Sequence, residues 1–497
     1  MQQKKFAPGR SLAILSAALG LMSLVACGSR EPAVTGPDAL MGVWMPEAAP
    51  QQLLTADGKA PPLKPEAGAI YSERLQRLAS GDRSFDQASW CASPGMPRVL
   101  TMPYPFEIRS DGEFLAFIHG WYRWHRVVDM AGGEVDPPLP LTMGFPVGTW
   151  EGDTLVIRTV GLIDVTHLDA AGLPHSEDMV LTERLRVLPD GRLENRIRIE
   201  DPETFDEPWE TVLTFRRDGN ARVTDDICPD RIANGEPAVR AELPPAAKPV
   251  KTAAKARPAA TAEATTPRFS GMWEPATFGF MVQNTPLSAA GKAIVDRNAA
   301  ANAAGKIMQT AWTSCRPGAI STMTMPREKI TVLQSDDEVT ILYEMPRMTR
   351  RIRIDGEHPA DLAPSYVGDS VGRWEGNTLV VDSIGFNGYA ELDSRGQPTS
   401  DKLHTVERFT LREDGNGIDI EVTITDPEYY TEPFTIKRSW KRSEARHPFE
   451  YDCMENPRAE DFENAYYVHD RYMPTCMRIE GEGMELSRVV CSPPKKD

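Results

Sequence analysis

The chain is short of the features by which a sequence usually declares its chemistry. No phosphate-binding glycine loop or dinucleotide fingerprint occurs, and no HxH or HExxH spacing brings histidines together for a metal. The common routes to nucleotide enzyme and metalloenzyme are therefore closed, and no cofactor or metal is expected. Basic charge is also scarce: 55 lysines and arginines face 72 aspartates and glutamates, for a net charge of -17. That balance excludes nucleic acid and anionic lipid surfaces as main partners. The cluster Arg347, Arg350, Arg351 and Arg353 does not reverse it, and reads as a solvated strand face.

Long apolar runs are missing too. The one near the start, Leu12 to Leu24, is too short to span a bilayer and follows Lys4, Lys5 and Arg10, as in a processing signal. It ends in Leu24-Val25-Ala26-Cys27-Gly28, which resembles the lipobox of bacterial lipoproteins. The resemblance implies cleavage before Cys27, acylation of that cysteine, and, with Gly28 following it, an outer-membrane address facing the periplasm. Residues 1–26 are then a signal peptide and 27–37 a tether, leaving the protein anchored to the membrane without crossing it.

What the chain does contain, it contains twice. Gly372 to Phe386 (GRWEGNTLVVDSIGF) repeats Gly148 to Leu162 (GTWEGDTLVIRTVGL) with eight of fifteen positions identical, and the sharpest change is Arg158 to Asp382. Gly followed by Asp or Asn and a β-branched run reads as a tight turn opening a strand. Gly42-Val43-Trp44 likewise matches Gly271-Met272-Trp273. The reading is two similar domains, 38–232 and 267–455, joined by an Ala/Pro-rich linker at 233–266 that lets them move separately, with a tail at 456–497. Helices are expected within Thr55 to Leu78, broken by Pro61, Pro62 and Pro65, and over Ser288 to Ala304 behind a serine cap. Elsewhere short Val/Ile/Thr-rich segments dominate, seven or eight per copy. Ile418, Ile420, Val422 and Ile424 alternate with polar residues, as in a half-buried strand. The fold class is mainly β: two tandem antiparallel β-barrels or curved meanders with short helices.

The paired Trp-Glu-Gly turns, the Asp201-Pro202 and Asp426-Pro427 exits and the Glu183-Arg184 and Glu407-Arg408 dipeptides resemble a bacterial family of uncharacterised secreted proteins with tandem repeats of this type. The resemblance spans both copies and supplies no catalytic residue.

The cysteines follow the repeat. Cys91 and Cys315 lie 224 residues apart, the offset of the motif, and Cys228 and Cys453 lie 225 apart. The simplest pairing is Cys91 with Cys228, Cys315 with Cys453, and Cys476 with Cys491 in the tail, which an exported address permits.

Strand parity singles out Glu183 and Glu407. Glu183 shares a face with Leu181 and Leu185, and Glu407 with Thr405 and Phe409, so each carboxylate faces an apolar interior and needs a donor. In the second copy Arg350 is the candidate; in the first, His119, His125 or Arg123, counted on one strand parity. His175 is a further acid/base candidate. Phe114, Phe117, Trp121, Tyr122 and Trp124 make a segment apolar on both faces, which reads as a cavity wall. Three functions stay open: an anchored binder of an apolar or amphipathic small molecule, a hydrolase or isomerase using Glu183 or His175, and a scaffold lipoprotein docking envelope partners. A cavity at Glu183 favours the first two and a filled barrel the third.

Overall fold

The computed structural model describes residues 37–219, 221–223, 226–244, 267–276, 282–318, 328–345 and 347–453, and the backbone of 465–467, 475–479 and 488–492. Each copy is a closed barrel of nine strands. The first comprises β1 (Gly42–Pro46), β2 (Phe106–Ser110), β3 (Phe114–His119), β4 (His125–Asp129), β5 (Phe145–Glu151), β6 (Thr154–Val160), β7 (Val180–Val187), β8 (Leu193–Glu200) and β9 (Trp209–Arg217). The second runs from Gly271–Pro275 to Phe434–Arg442 in the same order.

The strands follow chain order around each ring, but the expectation of purely antiparallel pairing needs a correction. In a ring of nine, directions cannot alternate all the way round, so at least one neighbouring pair must run parallel. That pair is β4 with β5, and in the second barrel Met348–Ile354 with Asp369–Glu375. A parallel pair needs a long crossover, and these are the loops 130–144 and 355–368. Strand Asp369–Glu375 and the closing strand Gly271–Pro275 carry almost no β-branched residues to mark them in the sequence.

The repeated turn makes the β5 to β6 hairpin. Glu151 pairs with Thr154 across Gly152 and Asp153, and Gly152 has φ 66°. Positive φ at the first central residue is the type II′ arrangement that suits strand twist. The Gly-x-Trp motif closes the ring, because β1 pairs with both β2 and β9. The Arg217 guanidinium lies 4.4 Å from the Trp44 ring centre, and Gly42, at φ 116°, leaves it room: a Cβ there would stand 2.8 Å from Nη1. Arg442, Trp273 and Gly271 repeat the device at 4.3 Å and φ 118°. The Asp-Pro exits are clamps as well: Asp201 accepts from the Ser176 amide and hydroxyl, and Asp426 from those of Ser400.

The expected helices form as α1 (Pro65–Ala79), with Pro65 in the first turn, and Ala289–Ala303, whose N-cap Ser288 accepts from the Gly291 amide at 3.2 Å. Between the barrels lies α2 (Cys228–Ala233). The disulfides Cys91 to Cys228 and Cys315 to Cys453 are formed, with Cα separations of 5.8 and 5.5 Å. In the tail the backbone register sets Cys476 opposite Cys491. Their side chains, like Cys27, lie outside the described residues.

The domains do not sit apart as a loose linker would leave them. Phe114, Ala116 and Ile118 on the outer face of β3 join Val127 of β4, Val223, and Met272, Leu333 and Leu342 of the second barrel in one buried cluster. The doubly apolar segment is thus core on one face and inter-barrel seam on the other. A strap after the last strand reinforces the seam. Arg446 reaches Asp129 at 3.0 Å, Glu450 accepts from the Thr142 and Met143 amides at 2.7 and 2.8 Å, and Asp452 accepts from the Ser93 amide at 2.6 Å. The start of the expected linker is docked as well, since the Ala238 carbonyl accepts from Trp121 Nε1 at 2.8 Å and the Arg240 amide donates to the Tyr104 hydroxyl at 3.0 Å.

Candidate functional site

Glu183 and Glu407 both point into their barrels, each with no accessible surface, while Arg184 and Arg408 face outward and pair with Glu151 and Glu375. In the second barrel the partner of Glu407 is Arg350: its Nη1 donates to Oε1 at 3.0 Å and its Nη2 to Oε2, while Ser370 and Ser383 accept from the same guanidinium at 3.2 and 3.0 Å. In the first barrel the partner is none of the three expected. Arg126 Nη2 lies 2.5 Å from Glu183 Oε2, and Asn195 Nδ2 donates to Oε1 at 3.0 Å.

The difference comes from a turn. A straight strand through 114–125 would keep one parity, but Tyr122 and Arg123 adopt left-handed backbone (φ 42° and 61°) and reverse the chain between β3 and β4. His119, at the end of β3, stays inside beside Phe106. His125, opposite Ile118, faces the seam, and Arg123 donates to the Cys315 carbonyl of the second copy at 3.0 Å. Sequence pattern alone carried no sign of Arg126, because the hairpin flips the parity of every later residue.

His119, His125 and His175 are all buried. Burial, helped by Arg126, pushes His119 down to about 3; burial, helped by Arg347, does the same to His125. Burial also lowers His175, whose Nε2 lies 2.9 Å from Thr166 Oγ1 and Nδ1 3.0 Å from the Ser176 carbonyl. Its partners are not those of Glu183, so the structure does not assemble these two into a pair. Among the described residues no group of three or more His, Cys, Asp or Glu side chains is placed to hold a metal.

The interiors are filled. Ile157 and Ile197 opposite Glu183, Val381 and Val422 opposite Glu407, and Trp44, Leu155, Leu181, Tyr343 and Ile418 elsewhere in the two barrels have zero exposure. A void large enough for water would leave accessible surface on such walls.

Open volume lies instead between the barrels, in a cleft of about 830 Å³ lined by both. Val43 and Val223 on one side and Ile354, Leu362 and Val367 on the other give it apolar walls, and five arginines and five carboxylates give it a polar floor. Glu107 ties that floor together, accepting from Arg109 Nε and Arg351 Nη2, each at 2.7 Å, one from either barrel. Against the burial that would raise it, Arg351 and Arg109 hold the Glu107 carboxyl below its ordinary value. Arg353 grips Asp369 at 2.6 and 2.8 Å. The arginine cluster is therefore not a solvated face: Arg350 is interior, Arg351 and Arg353 line the cleft, and the Arg347 guanidinium lies 3.4 Å from the Trp124 ring centre. No sequence pattern marks this cleft, since its walls come from segments far apart in the chain.

No protein-family model and no curated protein matches the chain. Among solved structures, Aeromonas veronii immune modulator A is similar over 68% of this chain and 85% of that chain, at 6% identity and a TM-score of 0.15. A likeness that slight carries no argument about fold or function.

Proposed function

We propose that this is a lipid-anchored protein of the bacterial cell envelope, on the outer membrane and facing the periplasm, that binds an amphipathic small molecule in the cleft between its two barrels. The carrying observation is the cleft: about 830 Å³, with apolar walls and a floor of paired arginines and carboxylates, within the size range of small-molecule sites. Packed barrel interiors argue against the same ligand sitting beside Glu183, and a carboxylate sealed from water and paired with Arg126 is poorly placed as an acid or base. Two disulfides fit an exported address.

Native mass spectrometry of mature protein extracted without exogenous lipid tests the proposal, alongside Ala363→Trp. Ala363 is exposed on the cleft wall, so the indole fills the cleft without touching the core. Wild type is expected to carry a bound small molecule that the variant lacks. A ligand retained in the variant places binding elsewhere and overturns the assignment. Filled barrels favour one other reading, a scaffold lipoprotein docking envelope partners, which gains if wild type carries no ligand.

A further inference from the structure

One wall of the cleft is the crossover loop 355–368, and its fastening to the second barrel has no counterpart in the first. His358, near the start of the loop, puts Nδ1 2.6 Å from Asp369 Oδ2 and Nε2 3.0 Å from Asp382 Oδ1. The two carboxylates belong to adjacent strands, Asp369–Glu375 and Thr378–Ile384. Asp382 also takes His404 Nε2 at 2.8 Å from the strand beyond, and Asp369 is gripped by Arg353, which donates in turn to the Glu357 carbonyl of the loop at 3.1 Å. The first copy carries Glu134, Phe145, Arg158 and Val180 where His358, Asp369, Asp382 and His404 stand, so the duplication supplied the barrel and not the fastening.

An imidazole has two ring nitrogens, and only the cation carries a hydrogen on both. A ring with a carboxylate oxygen within 3.0 Å of each nitrogen is complete only as that cation. Loss of one proton would set a nitrogen lone pair against a carboxylate. Both carboxylates are suited to stay ionised. Burial works to raise them, but Arg353 and His358 hold Asp369, and His404 and His358 hold Asp382, below the ordinary value. The side chains are partly exposed, His358 at 19% and Asp382 at 34%, so protons exchange with solvent without unfolding.

We propose that His358, bridging Asp369 and Asp382, is a pH-operated latch that holds loop 355–368 against the barrel when protonated and releases this wall of the cleft when neutral. The inference rests on the cleft being the binding site only for its consequence, since the latch is testable without any ligand. The sign follows from the chemistry. The fastening gains from a proton on His358, so it is present on the acidic side and lost once that proton leaves.

Amide hydrogen exchange of the intact mature chain, corrected for the intrinsic pH dependence of exchange, is the test. Protection of loop 355–368 in wild type should fall roughly fivefold between pH 5.5 and pH 8, the worth of a partly exposed ion pair, while the repeated hairpin Gly372 to Ile384 stays unchanged. His358→Gln should give the same protection at both pH values, and Asp382→Asn a smaller response than wild type. Equal wild-type protection at the two pH values, or an undiminished response in His358→Gln, overturns the latch. Failure of the cleft proposal would appear separately, as a ligand retained in Ala363→Trp.

Discussion

Replacing Glu183 with glutamine asks whether the first interior pair serves the fold or a reaction. Glu183 has no exposed surface and Arg126 is 2% exposed, so the substitution leaves a guanidinium buried without its counter-charge. Removing one partner of a buried pair costs about 3 to 5 kcal/mol. Two contacts survive and favour the lower end: Arg126 still donates to Thr159 Oγ1 at 2.5 Å, and its guanidinium still lies 5.7 Å from the Phe117 ring centre. Glu183→Gln should therefore destabilise the first barrel by about 3 kcal/mol. The double variant Glu183→Leu with Arg126→Met removes both desolvation penalties and should recover to within about 1 kcal/mol of wild type, or exceed it. The corresponding double change in the second barrel should recover less, because Arg350 is better satisfied, with Ser370 and Ser383 accepting from it beside Glu407. Calorimetric unfolding, with the two barrels' transitions resolved, reads these differences, and native mass spectrometry of the same variants reads ligand retention. A loss below about 0.5 kcal/mol for Glu183→Gln, or a double variant as unstable as the single, would refute the ion-pair reasoning. Ligand lost from a well-folded Glu183→Gln protein would refute its structural role.

Cys27→Ser should move the protein from the membrane to the soluble fraction, and a variant that still pellets with membranes would sink the anchor. Peptide mapping under non-reducing conditions should recover Cys91 with Cys228 and Cys315 with Cys453; reducing either opens a loop of 137 or 138 residues and should cost about 4 to 5 kcal/mol in the chain-entropy model. Burial pushes the Glu344 carboxyl up to about 7, from an ordinary 4.5. The folded chain thus holds that proton more tightly than the unfolded one, so the contribution is complete below about pH 4.5 and is lost as pH rises through 7. Glu344→Gln, the neutral isostere, should lessen the fall in melting temperature between pH 5 and pH 8, by the equivalent of at most about 3 kcal/mol; an unchanged slope would contradict this. Glu391, also raised to about 7 by burial, makes Glu344→Gln with Glu391→Gln the stronger test.

How much of this was legible depended on the range of the signal. The repeated turn, the alternation of β7 and the cysteine offset are local or periodic, and they led to the hairpins, to Glu183 and Glu407 inside, and to both disulfides of the described chain. The pairing of Glu407 with Arg350 followed because neither strand is interrupted between the residues compared. It failed for Glu183 at a single irregularity, the left-handed pair Tyr122 and Arg123, which no hydrophobic pattern marks. The cleft was out of reach for another reason: the same apolar outer face of β3 serves equally well as cavity wall or as interface, and the choice depends on where a second domain lands. The His358 fastening leaves no local pattern: Asp382 is the one abrupt change in the repeat, but its partners lie in a loop and a neighbouring strand.

Ring closure by β1 and β9 bears on how such a chain can be lengthened. The first strand lies antiparallel beside the last, Trp44 opposite Arg217 and Trp273 opposite Arg442, so the polypeptide enters and leaves each barrel at one spot. A unit whose two ends meet can be copied into a longer chain, or cut and rejoined elsewhere, without threading or displacing a strand. The tandem arrangement thus follows from local geometry, and a circular permutant opened at the exposed β7 to β8 turn would keep every strand pairing.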